Sequence, residues 1–276
     1  MISTYMDIDS LLAGMTALDS FAPVAAFTGN TGVTAVEDSI AAWHAAHDNR
    51  HFRREAMLVL TGSTLQKLEG KFYMCMPGDL FLIDRNEHHS DRYDPESAGL
   101  HVWLHILSES VICNIYQTGG GKFSIVRSCV YNSAQETREL HKLWDRIGKK
   151  APEDIAELTA RLRLLFCGLY RKLMYPENRS APEDSMEIIR QYLAENCGRD
   201  SSMAQLSRIA GCSRQHLMRQ FKKRFKCTVG EYIDQVRLEK SGELAGRATV
   251  KEIADILGFD SASAFCHWRR KKQGAK

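Results

Sequence analysis

Ser202-Met-Ala-Gln-Leu-Ser-Arg-Ile-Ala-Gly-Cys-Ser213 and Thr249-Val-Lys-Glu-Ile-Ala-Asp-Ile-Leu-Gly-Phe-Asp-Ser261 are two copies of one pattern. Seven pairs correspond at an offset of 47: Ser202 with Thr249, Gln205 with Glu252, Leu206 with Ile253, Ile209 with Ile256, Gly211 with Gly258, and Lys222-Lys223 with Arg269-Arg270. A hydroxyl three residues before Gln or Glu caps the N3 amide while the N3 side chain reaches back, so each copy is expected to start a helix there. The glycines stand where a helix ends in a left-handed residue. Ser213 and Ser261 then cap a second helix in each copy. That helix carries apolar Leu217, Met218 and Phe221 in the first copy and Phe265 and Trp268 in the second, with basic residues on the other side. A short helix, a glycine turn and a helix that is apolar inward and basic outward make a helix-turn-helix.

Between the copies, Val229 to Leu244 is expected to be one amphipathic helix through Tyr232, Ile233, Val236 and Leu244. Such a spacer could set both second helices on one face of a duplex, about 34 Å apart on successive major grooves. Arg bonds guanine bidentately and Gln adenine, so Arg214, Gln215, His216 and Arg219 are expected at base edges, with Ser261, Ser263 and His267 in the second copy. Lys222, Lys223, Arg224, Arg269, Arg270, Lys271 and Lys272 suit phosphates, which supply affinity and salt dependence but little sequence choice. Charge agrees with this assignment. Residues 201–276 hold 16 Lys/Arg against 7 Asp/Glu, a balance of +9, whereas the rest of the chain sums to −6.

Working back from the repeat, Tyr175 to Pro182 is polar with two prolines and reads as a linker. Before it, Leu140, Leu143, Trp144 and Ile147, then Ile155, Leu158, Leu162, Leu165, Phe166 and Leu169, recur at helical spacing, either packing on the core or forming a dimer seam. Earlier still the apolar residues come in short runs bounded by turns: Ala56–Leu60, Phe72–Met76, Leu80–Ile83 and Leu100–Ile106. These read as strands of an antiparallel sandwich or barrel, with Gly119-Gly-Gly121 as a loop. The expected class is therefore multidomain α+β. It has a β-barrel domain with packing helices over residues 1–130, linker or dimerisation helices over 131–174 and an all-α domain with two helix-turn-helix units over 183–276.

Several function classes lose support. No apolar run approaches bilayer-spanning length, and the first basic residue is Arg50, so a cytoplasmic protein without membrane association is expected. The eight cysteines form no Cys-x-x-Cys pair or zinc spacing, which disfavours a reactive-cysteine sensor of DNA alkylation. There is no GxSxG or Walker pattern, and a noncatalytic protein without cofactor or metal is expected.

The stretch Leu206-Ser-Arg-Ile-Ala-Gly-Cys-Ser213 with His216-Leu-Met-Arg-Gln-Phe-Lys-Lys223 resembles the AraC/XylS family of bacterial transcription regulators. Tyr232-Ile-Asp-Gln-Val-Arg-Leu-Glu239 and Thr249-Val-Lys-Glu-Ile-Ala-Asp-Ile-Leu-Gly-Phe259, with Phe265 beyond, look like that family's signature across roughly residues 183–274. Pro77-Gly-Asp-Leu-Phe-Leu-Ile83 followed by His88 is similar to the cupin-like barrel such regulators carry. The resemblance implies binding of double-stranded DNA, a homodimer, RNA polymerase as a further partner, and a barrel pocket for a small effector, by family habit a carbohydrate. His44, His47, Arg50, Glu55, His88 and Trp103 are the expected pocket residues. Two features depart from the family. Lys226 stands where a glycine is usual, and the familiar closing helix has no counterpart before Lys276, so the second unit is expected to be the weaker one.

The rival reading is a metal-dependent cupin enzyme fused to a helical module, because His44, His47, His51, Glu55, His88 and His89 loosely follow the His and Glu spacing of iron, manganese or zinc cupins. The usual His-x-His pair is absent from that set.

Overall fold

The structure, a computed structural model, describes residues 8–16, 22–25, 44–49, 53–68, 70–85, 87–94, 98–119, 122–147, 152–175, 182–199 and 201–274. It divides into two compact units that meet in sequence near residue 180, with residues 50–53 grouped with the second. The linker expected at Tyr175 to Pro182 lies largely outside the described residues, as do Arg50, His51, Gly120 and Gly121.

The first unit begins with α1 (Ile8–Leu12) and a 3-10 turn (Ala13–Met15). Ten strands follow: β1 (Ala22–Ala25), β2 (His44–Asn49), β3 (Arg54–Thr61), β4 (Thr64–Leu68), β5 (Lys71–Cys75), β6 (Asp79–Ile83), β7 (His89–Tyr93), β8 (Gly99–Ile106), β9 (Ser110–Gly119) and β10 (Lys122–Asn132). Helices α2 (Ala134–Ile147) and α3 (Pro152–Met174) complete it. The strands form a six-stranded sheet, β1-β6-β3-β8-β9-β10, and a four-stranded sheet, β2-β7-β4-β5.

Alternation along β8 assigns the two faces of the larger sheet. Leu100, Val102, Leu104 and Ile106 share one core with Leu140, Leu143 and Trp144 of α2 and Leu158, Leu162, Phe166 and Leu169 of α3. Trp103 points the other way and packs with Met57, Val59, Phe81 and Ile83 against Leu68 and Cys75 of the smaller sheet. The two helices therefore pack an apolar face on the sheet, while Leu164 of α3 is 71% exposed. Arg54, buried at the start of β3, adds a polar tie to α2: Nε donates to Asp84 Oδ1 at 2.8 Å, Nη1 to the His141 carbonyl at 2.9 Å, and Nη2 to Asp145. Its guanidinium also lies 5.6 Å from the Trp144 ring centre.

All four strand runs expected from the sequence fall within β3, β5, β6 and β8, except that Met76 lies just beyond β5 and is exposed. The closed barrel needs correction. Among the described residues no ladder joins the two sheets, which face each other as a sandwich.

The second unit is all helical: α4 (Pro182–Glu195), α5 (Met203–Ala210), α6 (Arg214–Phe225), α7 (Val229–Leu244), α8 (Val250–Ile256) and α9 (Ala262–Gln273). Ser202 Oγ accepts from Gln205 N at 3.2 Å and Thr249 Oγ1 from Glu252 N at 3.3 Å, starting α5 and α8. The reciprocal half of the box forms only in the second copy, where Glu252 Oε2 accepts from Thr249 N at 2.8 Å. Gln205 instead donates to Tyr192 Oη of α4 at 2.8 Å. A further capping box, Thr228 with Glu231, starts α7.

Gly211 and Gly258 have φ of +63° and +74°, and each allows the amide after it to reach back five residues, Cys212 N to Ser207 O at 3.1 Å and Phe259 N to Ala254 O at 2.9 Å. A left-handed backbone is open to glycine without a Cβ penalty, which is why the turns carry it. Phe221 meets Tyr232 of α7 with ring centres 5.7 Å apart. Val236 of α7, Ile253, Ile256 and Leu257 around α8, and Phe265 of α9 form a second core.

Candidate nucleic-acid interface

In α6, Leu217 and Phe221 are buried while Arg214, Gln215, Met218, Arg219, Lys222 and Lys223 are exposed. Ser213 Oγ accepts from His216 N at 3.3 Å, so the helix starts at Arg214 and these side chains recur on one outer face. His216 is half-buried, and its Nδ1 lies 3.3 Å from Arg219 Nη2. Met218, read from sequence as inward, is 56% exposed. It sits between Gln215 and Lys222, one turn to either side.

In α9, Phe265 is buried and Ser261, Ser263, Cys266, His267, Arg270 and Lys271 are exposed. Ser261 Oγ accepts from Ala264 N at 3.1 Å, so its hydroxyl already caps the helix. The register of this copy differs from the sequence comparison. Three residue steps separate Gly258 from Ser261 but only two separate Gly211 from Ser213, so the offset becomes 48 after the turn. The cap and the first buried residue obey it, Ser213 with Ser261 and Leu217 with Phe265. Lys222 and Lys223 thus correspond to Arg270 and Lys271 rather than to Arg269 and Arg270. Arg269 is half-buried, its guanidinium 5.9 Å from the Phe265 ring centre.

Two other cations assigned to phosphates are engaged within the unit. Lys272 Nζ lies 2.5 Å from Asp234 Oδ2, and Arg224 Nη2 lies 4.0 Å from Glu187 Oε2 of α4. Lys222, Lys223, Arg270 and Lys271 are the remaining phosphate candidates, exposed alongside Arg214 and Arg219.

The first unit offers a different kind of site. Between its sheets lie buried Glu55, Gln66, His89, Asp91, His101, Trp103, His105 and Asn114. Glu55 Oε1 is 2.6 Å from His105 Nδ1, and Oε2 is 3.5 Å from His89 Nε2. His101 is fully buried with neither ring nitrogen hydrogen-bonded among the described residues, and Tyr93 meets its ring edge-on at 5.0 Å. Burial holds His101 neutral, its pKa pushed down to about 4. Of the expected pocket residues, Glu55 and Trp103 are in this interior and His88 is exposed, its neighbour His89 turning inward instead. His44 and His47 lie on β2 with side chains outside the description. Among the described residues no group of three His, Cys, Asp or Glu is arranged to hold a metal ion. No described helix is long and apolar enough to cross a membrane.

Residues 206–275 match the family described as a helix-turn-helix domain. This segment is a helix-turn-helix domain. The chain is also similar to the probable transcriptional regulator LumQ of Photobacterium leiognathi, 22% identical over 82% of this chain and 88% of that protein. Among solved structures, the C-terminal domain of AraT, a response regulator from Geobacillus stearothermophilus, is 20% identical over 34% of this chain and 76% of its own, with a TM-score of 0.29. ToxT from Vibrio cholerae, solved with an unsaturated fatty acid bound, is 15% identical over 82% of this chain and 86% of its own, with a TM-score of 0.27.

Proposed function

We propose that the chain is a transcription regulator whose AraC-type domain reads double-stranded DNA with two helix-turn-helix units, α5–α6 and α8–α9, and whose sandwich senses a small polar molecule. The observation that carries the DNA reading is the outer face of α6, where Arg214, Gln215, Arg219, Lys222 and Lys223 stand exposed on a helix held from behind by Leu217 and Phe221. A face that mixes base-reading side chains with phosphate-binding cations suits a major groove. Ser263, His267, Arg270 and Lys271 supply a smaller set on α9. Selection of duplexes from a random pool by the full chain tests this reading. Enrichment of a site with two half-sites about one helical turn apart supports it, and an unenriched pool after successive rounds at moderate salt contradicts it.

The sensing role is supported by the interior between the sheets. A sandwich core is ordinarily apolar, and buried polar groups cost free energy unless they are bonded. His101, with neither ring nitrogen hydrogen-bonded among the described residues, and the Gln66 amide oxygen make this interior suited to a ligand rich in hydroxyl groups, such as a carbohydrate. Thermal unfolding of the full chain with a panel of monosaccharides tests that part. A concentration-dependent rise that disappears in Glu55→Gln supports it, and a flat response to every sugar removes the carbohydrate assignment.

A further inference from the structure

We infer that Met218 is a specificity residue that reads the 5-methyl group of thymine in the half-site bound by α6. The inference rests on the DNA reading above and deepens it. Three observations converge on this side chain. It is 56% exposed, one of few large apolar side chains in the described residues to be so. It lies one turn after Arg214 and Gln215 and one turn before Lys222. Leu217 and Phe221 are buried and hold the helix from behind, which leaves the thioether on the outside.

Arg214, Gln215 and Lys222, one turn to either side, make an apolar protein partner a poor occupant, since docking one would desolvate them without compensation. A polyanionic duplex satisfies them, and the phosphate contacts of Lys222 and Lys223 would bring the helix centre over the base edges. On the major-groove floor, thymine is the base that presents a methyl group, and the other edge positions are hydrogen-bonding donors and acceptors. A thioether on three rotatable bonds, polarizable and without a hydrogen-bond donor, matches the methyl and leaves the polar edges to Gln215 and Arg219. The position that aligns with Met218 in α9, counted from the capping serines, is Cys266. It is exposed too, but shorter by two heavy atoms, so the methyl reading belongs to the α6 half-site.

The test uses the full chain and the duplex it binds best, with each thymine replaced singly by deoxyuridine, which removes the methyl and keeps every hydrogen-bonding edge. At least one replacement in the α6 half-site is expected to weaken binding about fourfold, the worth of one buried methyl group. Met218→Ala should bind the thymine and uracil duplexes equally, and Met218→Gln should move the preference at that base pair toward adenine. Because the side chain is exposed, both variants should keep the wild-type thermal unfolding midpoint. Sequence preference without any thymine-over-uracil discrimination, or discrimination that persists in Met218→Ala, overturns the role of Met218 while leaving the DNA reading in place. Loss of all sequence preference in the wild-type chain overturns both.

Discussion

Trp268 Nε1 donates to Asp234 Oδ1 at 2.8 Å, a bond that fastens the helix carrying His267 to the spacer helix α7. The same carboxylate takes Lys272 at 2.5 Å through its other oxygen, and the indole stacks near Phe259 and Phe265 at centre distances of 5.0 and 6.1 Å. Trp268→Phe keeps the ring contacts and removes the bond to a charged acceptor, so it should cost about 1–2 kcal/mol. Asp234→Asn keeps an acceptor for the indole and loses only the attraction to Lys272, and should cost less. Urea unfolding of the two variants checks the order, and equal costs would assign the stabilisation to Lys272 instead.

Lys226 ends α6 in the left-handed region, with φ +60° and ψ +11°, where a Cβ is unfavourable. Lys226→Gly should therefore stabilise the chain by up to ~1 kcal/mol, and Lys226→Ala should not. A Gly variant no more stable than the Ala variant in the same unfolding measurement would remove the conformational explanation.

The exposed residues of α6 and α9 divide into readers and anchors. Arg219→Ala and His267→Ala should each flatten the preference at one or two base pairs, by about 1–3 kcal/mol for a bidentate arginine. Lys222→Ala should weaken binding to all duplexes alike and reduce the slope of log K against log salt by about 0.9. Equal losses of specific and nonspecific binding in all three variants would contradict this division.

His101 gives the first unit an acid sensitivity. Its pKa is about 4 when folded and near 6.5 when unfolded, so between those values the unfolded chain binds more protons and stability rises with pH. Acidification from pH 6.5 toward 4 should therefore remove stability, on the order of 3 kcal/mol if this group acts alone. His101→Phe should flatten that part of the profile in thermal unfolding followed against pH. An unchanged slope in the variant would show that other groups set it.

How much was legible in the sequence varied with how local the cause was. The caps at Ser202, Thr249, Ser213 and Ser261 and the turns at Gly211 and Gly258 follow from contacts spanning three to five residues, and the structure has all of them. The second helix-turn-helix slipped by one because Asp260 lengthens its turn, and basic residues in a row look alike at either offset. Met218 read as core because Leu217, Met218 and Phe221 all fit an apolar stripe, and only the burial of Leu217 and Phe221 together shows which arc faces inward. On the sheets a one-residue shift exchanges faces, so sequence alone does not distinguish exposed His88 from His89, which turns in. The inward direction of His101 and His105 depends on the pairing of β8 with β3 and β9, which lies beyond any local pattern.

Fluorescence anisotropy of the full chain tests the central claim most directly, with duplex from upstream of its own gene, a scrambled duplex of the same composition, and a series of salt concentrations. Tighter binding to the native duplex by about a thousandfold or more, with log K falling steeply as log salt rises, is the expected result. Equal affinity for both duplexes at every salt concentration, or no binding even at low salt, would contradict the assignment of α6 and α9 as readers of DNA sequence.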